Sequence, residues 1–176
     1  MNRLARFLAL PRHRQALLLS SGWALLQAAW RVRRWPFSRL AAGLGSVTSP
    51  AAPQATTNAP LHGAPTPAAA GTTDGQAQAE AVRWAVAAWS RAWPWPPTCL
   101  MQAVAARELL VERGLPCELY FGVRTGVAGQ PASAPEIGAH AWLCCGSLTV
   151  TGAAEAARFQ PIAVYSFSPA AAAPRQ

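Results

Sequence analysis

The chain has 176 residues, the length of one ordinary domain, and a formal net charge of +8 at pH 7. Arginines that precede the first acidic residue, Asp74, account for this excess: Arg3, Arg6, Arg12, Arg14, Arg31, Arg33, Arg34 and Arg39. Basic charge confined to one terminal segment argues against a nucleic-acid-binding face, and favours an acidic partner, a membrane surface or a role in solubility.

Residues 1–44 are predicted to form a basic helical arm. Two apolar patterns flanked by arginine, at 4–10 and 16–30, end at Trp35-Pro36. The second pattern is shorter than the run of about 20 apolar residues that a membrane span needs. We therefore expect a packed or interfacial helix, and contact of the arm with a membrane or with a partner protein stays open.

Two segments have the composition of disordered chain. Residues 45–75 are mainly Ala, Pro, Thr, Gly and Ser with almost no large apolar side chain, so we expect a disordered linker. We expect a disordered tail at 169–176. The part between them, 76–168, is predicted to be the folded domain.

A helix is predicted from residue 76, because Val82, Val86, Trp89 and Trp93 recur at spacings of four, three and four. Such a stripe predicts packing against a core.

The stretch 94–100 reads Pro-Trp-Pro-Pro-Thr-Cys-Leu and predicts a helix start at Cys99. The prolines end the preceding helix, and Thr98 can cap the next one. A thiol in the first turn faces unpaired N–H groups and the positive end of the helix dipole, which favour a thiolate. This helix, 99–113, is apolar over most of its circumference and is expected to be buried, with Gly114 and Pro116 ending it.

Strands are predicted after this helix. Residues 119–123 alternate apolar and polar, 139–145 form a second strand, Gly146-Ser147 is typical of a two-residue hairpin turn into 148–151, and 159–167 could add one more strand. The turn predicts three facing pairs: Cys145 with Leu148, Cys144 with Thr149, and Trp142 with Thr151. His140 would share its sheet face with Trp142 and Thr151.

The other cysteines, Cys117, Cys144 and Cys145, do not suggest a metal or disulfide framework. No Cys-x-x-Cys spacing is present, and the adjacent pair points to opposite faces of any strand. No clean secretory signal precedes them, so we expect reduced thiols in the cytoplasm, with no metal ion and no cofactor.

Cys99 and His140 supply two of the groups that a cysteine peptidase or acyltransferase needs: a thiolate and a histidine that pairs with it and later protonates the leaving group. A third residue fixes the imidazole. The alternative is structural, because a histidine beside a tryptophan is often a packed core residue.

The run Cys99-Leu100, the Phe-Gly-Val of the first strand and Ala139-His140-Ala141-Trp142 resemble the transglutaminase-like cysteine peptidase domain of lasso-peptide maturation, the family of the microcin J25 processing protease. The resemblance covers about residues 76–168, and the arm is similar to that family's lead-in. It implies an α+β fold, transglutaminase-like or papain-like, in which the nucleophile helix packs on an antiparallel sheet.

The resemblance also implies a reaction and partners. Cys99 would attack the bond between leader and core of a ribosomally made precursor peptide, with His140 as base and then acid. A separate ATP-dependent macrolactam synthetase would close the core peptide. Residues 1–44 show no leader-recognition domain, so a separate recognition protein is implied. The expected location is cytoplasmic, or peripheral at the inner membrane surface.

One departure concerns the residue that orients the imidazole. The family places an aspartate just after the strand that follows the histidine strand, but this chain has none after Asp74. Thr151, on the expected face, and Glu155, with the right charge, are the candidates. Loss of the aspartate favours one alternative to a full peptidase, a weak or inactive scaffold that binds the precursor or the synthetase. A transglutaminase-like acyltransferase, which would use the same residues, is the other alternative.

Overall fold

The computed structural model describes residues 3–48, 73–124 and 138–169. Eleven elements lie in these ranges: α1 (Arg3–Leu8), α2 (Arg12–Arg34), α3 (Phe37–Ala42), β1 (Ser46–Thr48), α4 (Thr73–Ala92), α5 (Cys99–Glu112), β2 (Cys117–Arg124), β3 (Gly138–Cys145), β4 (Leu148–Thr151), α6 (Ala153–Ala156) and β5 (Gln160–Phe167).

The strands form one antiparallel sheet in the order β1-β5-β2-β3-β4. Apolar side chains of β2 and β3, among them Leu119, Ala141 and Leu143, belong to the core cluster that also contains residues of α5 and α4. Helices therefore cover this face of the sheet, which confirms an α+β fold with an antiparallel sheet. The strands predicted at 119–123, 139–145, 148–151 and 159–167 are confirmed as β2, β3, β4 and β5.

Helix α5 is the central element of the core. Its buried residues cover most of its circumference: Met101, Ala103, Val104, Ala105, Ala106, Arg107, Leu109 and Leu110. It packs against β2, β3 and β4 as well as against α2 and α4. The C-terminal end is closed by Gly114, whose φ is 66°, and by a 2.9 Å bond from the Leu115 N–H to the Leu110 carbonyl. The predicted burial and both predicted ends of this helix are confirmed.

Helix α4 has the predicted apolar stripe, because Val82 and Val86 are buried and Trp89 is half-buried against the core. The Trp89 indole donates a hydrogen bond of 2.6 Å to the Leu18 carbonyl of α2. Gly22 permits this approach, because a Cβ there would lie 2.7 Å from the Trp89 ring.

Helix α2 belongs to the same core, which corrects the prediction that residues 1–44 form an arm apart from the domain. Leu17, Ala24, Leu25 and Ala28 are buried with residues of α4 and α5. The sequence could not show this, because α2 is apolar on more than one face. Among the described residues, no helix is long and apolar enough to cross a lipid bilayer.

The predicted linker at 45–75 is corrected at its two ends. Ser46–Thr48 form β1, which pairs with β5, and 73–75 belong to α4. Residues 49–72 lie outside the described residues, as do 170–176 of the predicted tail and 125–137 of the loop between β2 and β3.

The β3–β4 hairpin forms with the predicted turn, and two of the three predicted pairs are confirmed: Cys145 with Leu148 and Cys144 with Thr149. The third pair is wrong. A register shift between Leu143 and Cys144 places Thr151 opposite Leu143 instead of Trp142. Bulges of this kind insert one residue and re-aim the side chains beyond it.

Arg31 of α2 and Glu108 of α5 form an ion pair between the two helices. Burial raises the pKa of the Glu108 carboxyl above 4.5, and Arg31 opposes this effect. The raised pKa means that ionised Glu108 lowers stability at neutral pH. This loss shrinks as the pH falls through the raised pKa and is gone below the ordinary value.

We expect Arg31→Gln to lower the melting temperature at neutral pH, because it leaves a half-buried carboxylate without its cation. Glu108→Gln removes the charge itself and should be much less harmful. Thermal unfolding between neutral and mildly acidic pH gives the melting temperature of each variant relative to the unsubstituted protein. The loss of melting temperature in Arg31→Gln should become smaller on acidification, because Glu108 then becomes neutral. A loss that became larger would show that the unpaired Glu108 carboxylate is not its cause.

Candidate active site

Cys99 is the first residue of α5. The Thr98 Oγ1 accepts a hydrogen bond of 3.3 Å from the Met101 N–H, so the predicted N-cap is confirmed. The Gln102 side chain donates a bond of 2.9 Å to the Pro97 carbonyl, which fixes the turn leading into the helix. The half-buried Cys99 side chain therefore lies at a well-defined helix N-terminus, where backbone N–H groups favour negative charge.

His140 is buried near the start of β3. Its ring lies against Trp142, at 5.9 Å between centroids, and against Phe159, at 5.0 Å. Trp142 in turn stacks on Tyr120 at 5.4 Å with the rings nearly parallel. These aromatic rings fix the orientation of the imidazole.

One nitrogen of the His140 ring is committed to the backbone. Nε2 lies 3.1 Å from the carbonyl oxygen of Gly152. Since a carbonyl oxygen can only accept, Nε2 carries the proton, and in the neutral ring the lone pair is on Nδ1. Nδ1 makes no hydrogen bond to any residue within the described ranges. The ring is therefore in the tautomer that a general base needs at Nδ1.

Gly152 is the residue that makes this contact sterically possible. Its φ is 77°, and a Cβ there would lie 2.7 Å from the Trp142 Cβ and 2.9 Å from both the Ala141 carbonyl and the His140 Nε2. A side chain would meet both the strain of positive φ and a clash with the imidazole. Position 152 is thus a glycine for two independent reasons.

The orienting residues predicted from the sequence do not bond the imidazole. Thr151 is buried, and its Oγ1 has no hydrogen-bond partner among the described residues. Glu155 is exposed on α6. The sequence did not predict the contact with the Gly152 carbonyl, because every residue has a backbone carbonyl. The signal that the sequence does contain is a glycine placed directly after the predicted strand 148–151.

Cys99 and His140 lie toward the same end of the domain. Helix α5, about 21 Å long, is joined by a short turn to β2, about 26 Å long, which packs against it in the reverse direction. The far end of β2, at Gly122, pairs with His140. This end is therefore the end at which α5 begins.

The two side chains are nevertheless not joined in this structure. No hydrogen bond connects the Cys99 sulfur to His140 in the described parts of the chain. Cys99 packs beside the core cluster, whereas His140 and Trp142 alternate with Ala141 and Leu143 and so lie on the sheet face away from that cluster.

The other three thiols are held in their neutral form. Burial raises the pKa of Cys117 to about 12 and that of Cys144 to about 11, and it also raises the pKa of Cys145. Nucleophilic chemistry needs a thiolate. These three cysteines are therefore poorly suited to it at neutral pH.

A family comparison agrees with this architecture. The model of the transglutaminase-like superfamily matches residues 22–164, from the middle of α2 to β5. The chain belongs to the transglutaminase-like superfamily. The match includes half of α2, consistent with the place of that helix in the core. Comparison with curated proteins gave no match, and comparison with solved structures gave none.

Members of the transglutaminase-like superfamily include cysteine peptidases, and the fold is compatible with a cysteine peptidase or an acyltransferase. The match does not identify catalytic residues. The catalytic roles of Cys99 and His140 therefore stay predictions from the sequence, because the structure does not join the two side chains.

We expect iodoacetamide at neutral pH to alkylate Cys99 faster than Cys117, Cys144 and Cys145, because burial disfavours the thiolate of the last three. Peptide mapping by mass spectrometry over a time course measures the four rates. The half-buried Cys145 is the matched comparison for Cys99. Equal rates for Cys145 and Cys99 would contradict the assignment of Cys99 as the reactive thiol.

We expect Gly152→Ala to release the His140 ring from its carbonyl. Imidazole nitrogen NMR should show the Nε2-protonated tautomer in the unsubstituted protein and a mixture in the variant. Gly114→Ala is the control, because Gly114 also has positive φ but a Cβ there would meet nothing within 4 Å. An unchanged tautomer in Gly152→Ala would show that the carbonyl does not hold the ring.

Proposed function

We propose that this protein is a cysteine peptidase that removes the leader from a ribosomally made lasso-peptide precursor. The observation that carries the proposal is Cys99 at the capped N-terminus of α5, in a transglutaminase-like domain whose His140 is held with Nε2 protonated. The peptidase chemistry rests on these two residues. The substrate rests on the sequence resemblance.

The proposed reaction begins with transfer of the Cys99 proton to the His140 Nδ1, and the thiolate attacks the carbonyl carbon of the scissile bond. Negative charge develops on the carbonyl oxygen, and backbone N–H groups at the start of α5 are suited to stabilise it. The imidazolium then protonates the leaving amine, which frees the core peptide. Water, deprotonated by His140, hydrolyses the thioester and releases the leader as a free acid.

This sequence of steps requires the Cys99 sulfur and the His140 Nδ1 to come within hydrogen-bond distance. Because the two side chains lie on opposite faces of the sheet, tightening of an existing contact is not enough. The proposal therefore requires that binding of the precursor moves the start of β3 or the turn before α5, so that the imidazole and the thiol meet.

The Gly152 carbonyl gives the proposed enzyme a neutral orienting group. A carbonyl fixes the tautomer as a carboxylate would, but it stabilises the imidazolium less, because it carries only a partial negative charge. We therefore expect slower turnover than a dyad with an aspartate would reach.

The proposed substrate and partners follow from the resemblance of Cys99-Leu100 and Ala139-His140-Ala141-Trp142 to lasso-peptide leader peptidases. A separate recognition protein would present the leader, and an ATP-dependent macrolactam synthetase would use the freed amine. Both partners belong to the proposal.

A second candidate is a scaffold of peptidase fold that binds the precursor without cutting it. Two observations favour it: no hydrogen bond joins Cys99 to His140 among the described residues, and the orienting group is neutral. The two candidates differ in one measurable property, which is release of the leader by the purified protein.

We expect Cys99→Ala and His140→Ala each to lower leader release by about a thousandfold or more, because residues that act as one unit fail together. The assay follows the precursor by mass spectrometry, in the presence of its recognition protein. Cys145→Ala, which removes a half-buried thiol elsewhere, should cleave at the rate of the unsubstituted protein.

Full cleavage by Cys99→Ala would refute the peptidase. Absence of cleavage by the unsubstituted protein, together with tight precursor binding that survives in Cys99→Ala, would establish the scaffold instead.

A further inference from the structure

Helix α2 carries a second apolar face that the described structure leaves largely exposed, although the Trp30 ring contacts the edge of Trp35. Leu19, Trp23, Leu26 and Trp30 are 63%, 62%, 50% and 55% exposed. Their spacings of four, three and four place them on one side of the helix. The buried residues of α2 point to the opposite side, because Leu17, Ser21, Leu25 and Ala28 are half a turn away. We call the four exposed residues the outer stripe.

Two tryptophans and two leucines in one exposed row are unusual for a soluble surface, where large apolar side chains are normally scattered. Side chains of this size lose favourable free energy in water. A contiguous exposed patch of this kind indicates a contact that the isolated chain does not make.

Basic residues lie at both ends of the outer stripe. Arg12 begins α2, and Arg33 and Arg34 end it, all three exposed. Arg14 is on the other side of the helix, where its guanidinium lies over the Trp84 ring of α4. The helix contains no acidic residue, and none precedes Asp74 in the chain. The apolar row is therefore framed by positive charge alone.

We propose that the outer stripe binds the surface of an anionic lipid bilayer, with α2 lying parallel to the membrane plane. Helices that lie at the interface combine a Trp- and Leu-rich face with flanking Arg or Lys. Tryptophan prefers the headgroup level, and arginine reaches up to lipid phosphates from an apolar surface. A protein partner would need both an apolar groove and acidic rims at each end, whereas an anionic bilayer supplies both features everywhere.

The core fixes the orientation of this contact. The inner face of α2 packs on α4 and α5, and α5 packs on the strands. The helix cannot leave the core to span the bilayer, so it lies on the surface. The helix layer then separates the bilayer from the sheet, and the sheet face that carries His140 and Trp142 points away from the lipid.

The proposal does not depend on the proposed peptidase activity. Variants of the outer stripe should still release the leader in solution, and Cys99→Ala should still bind vesicles. Failure of one proposal is therefore distinguishable from failure of the other.

The test is flotation of the full chain with vesicles of phosphatidylcholine containing about a third phosphatidylglycerol, the anionic lipid. We expect binding to these vesicles, weak binding to pure phosphatidylcholine, and loss of binding as ionic strength rises. Trp23→Gln/Trp30→Gln should lower the partition coefficient by about tenfold or more, since each ring leaves water on binding. Arg12→Gln/Arg34→Gln should lower it by about fivefold for each charge.

Ile162→Gln is the matched control, because Ile162 is 53% exposed on β5, away from α2. It should bind as the unsubstituted protein does. Circular dichroism and melting temperature establish that each variant folds. If the tryptophan variant does not fold, Leu19→Gln/Leu26→Gln replaces it, with the same expectation.

Three results would overturn the proposal. The first is no flotation of the unsubstituted protein with anionic vesicles. The second is equal flotation of the outer-stripe and Ile162→Gln variants. The third is a dimer, or a complex with a purified partner protein, that the outer-stripe substitutions abolish while vesicle binding is absent, because another protein surface would then cover the stripe.

Discussion

Burial of α5 is the constraint on which the rest of the structure depends. Residues on nearly every side of this helix are apolar, so one covering layer is not enough, and the strands pack on one side while α2 and α4 pack on the other. Its fixed position determines the place of its N-terminus, where Thr98 caps the first turn. Cys99 is therefore positioned by the packing of the whole domain rather than by a flexible loop.

Specific polar contacts join the helices of this layer to one another and to the chain before β1. Arg31 and Trp89 each tie α2 to another core helix, one by an ion pair with Glu108 and one by a hydrogen bond to Leu18. Arg107, buried within α5, donates a bond of 2.7 Å to the Leu44 carbonyl and so holds the chain that follows α3. The segment before β1 is thereby held against α5, consistent with a family match that begins inside α2.

Local signals in the sequence predicted most of the elements near the site. The Thr98 cap, the extent of α5 and the turn at Gly146-Ser147 each depend on residues close together in the chain. The residue that faces Thr151 could not be predicted from such local signals, because a bulge in the hairpin shifts the register by one residue. The contact between His140 and the Gly152 carbonyl comes directly after that bulge in the chain, at a residue with a φ of 77°.

Two further features depended on distant parts of the chain. Pairing of Ser46–Thr48 with β5 joins segments far apart in sequence, and these residues have the small, polar composition of a linker. For α2, apolar residues lie on opposite faces, so periodicity could not decide which face enters the core. Burial of Leu25 and exposure of Trp23 are properties of the folded domain only.

The central claim is that the Cys99 thiol hydrolyses a peptide bond with His140 as its base. The most direct measurement is cleavage of the precursor in water enriched in oxygen-18, followed by mass spectrometry of the leader. The account predicts a leader whose terminal carboxylate carries one heavy oxygen and whose appearance requires Cys99. A leader joined to an amine would contradict hydrolysis in favour of acyl transfer, and a leader released equally by Cys99→Ala would contradict the thiol mechanism altogether.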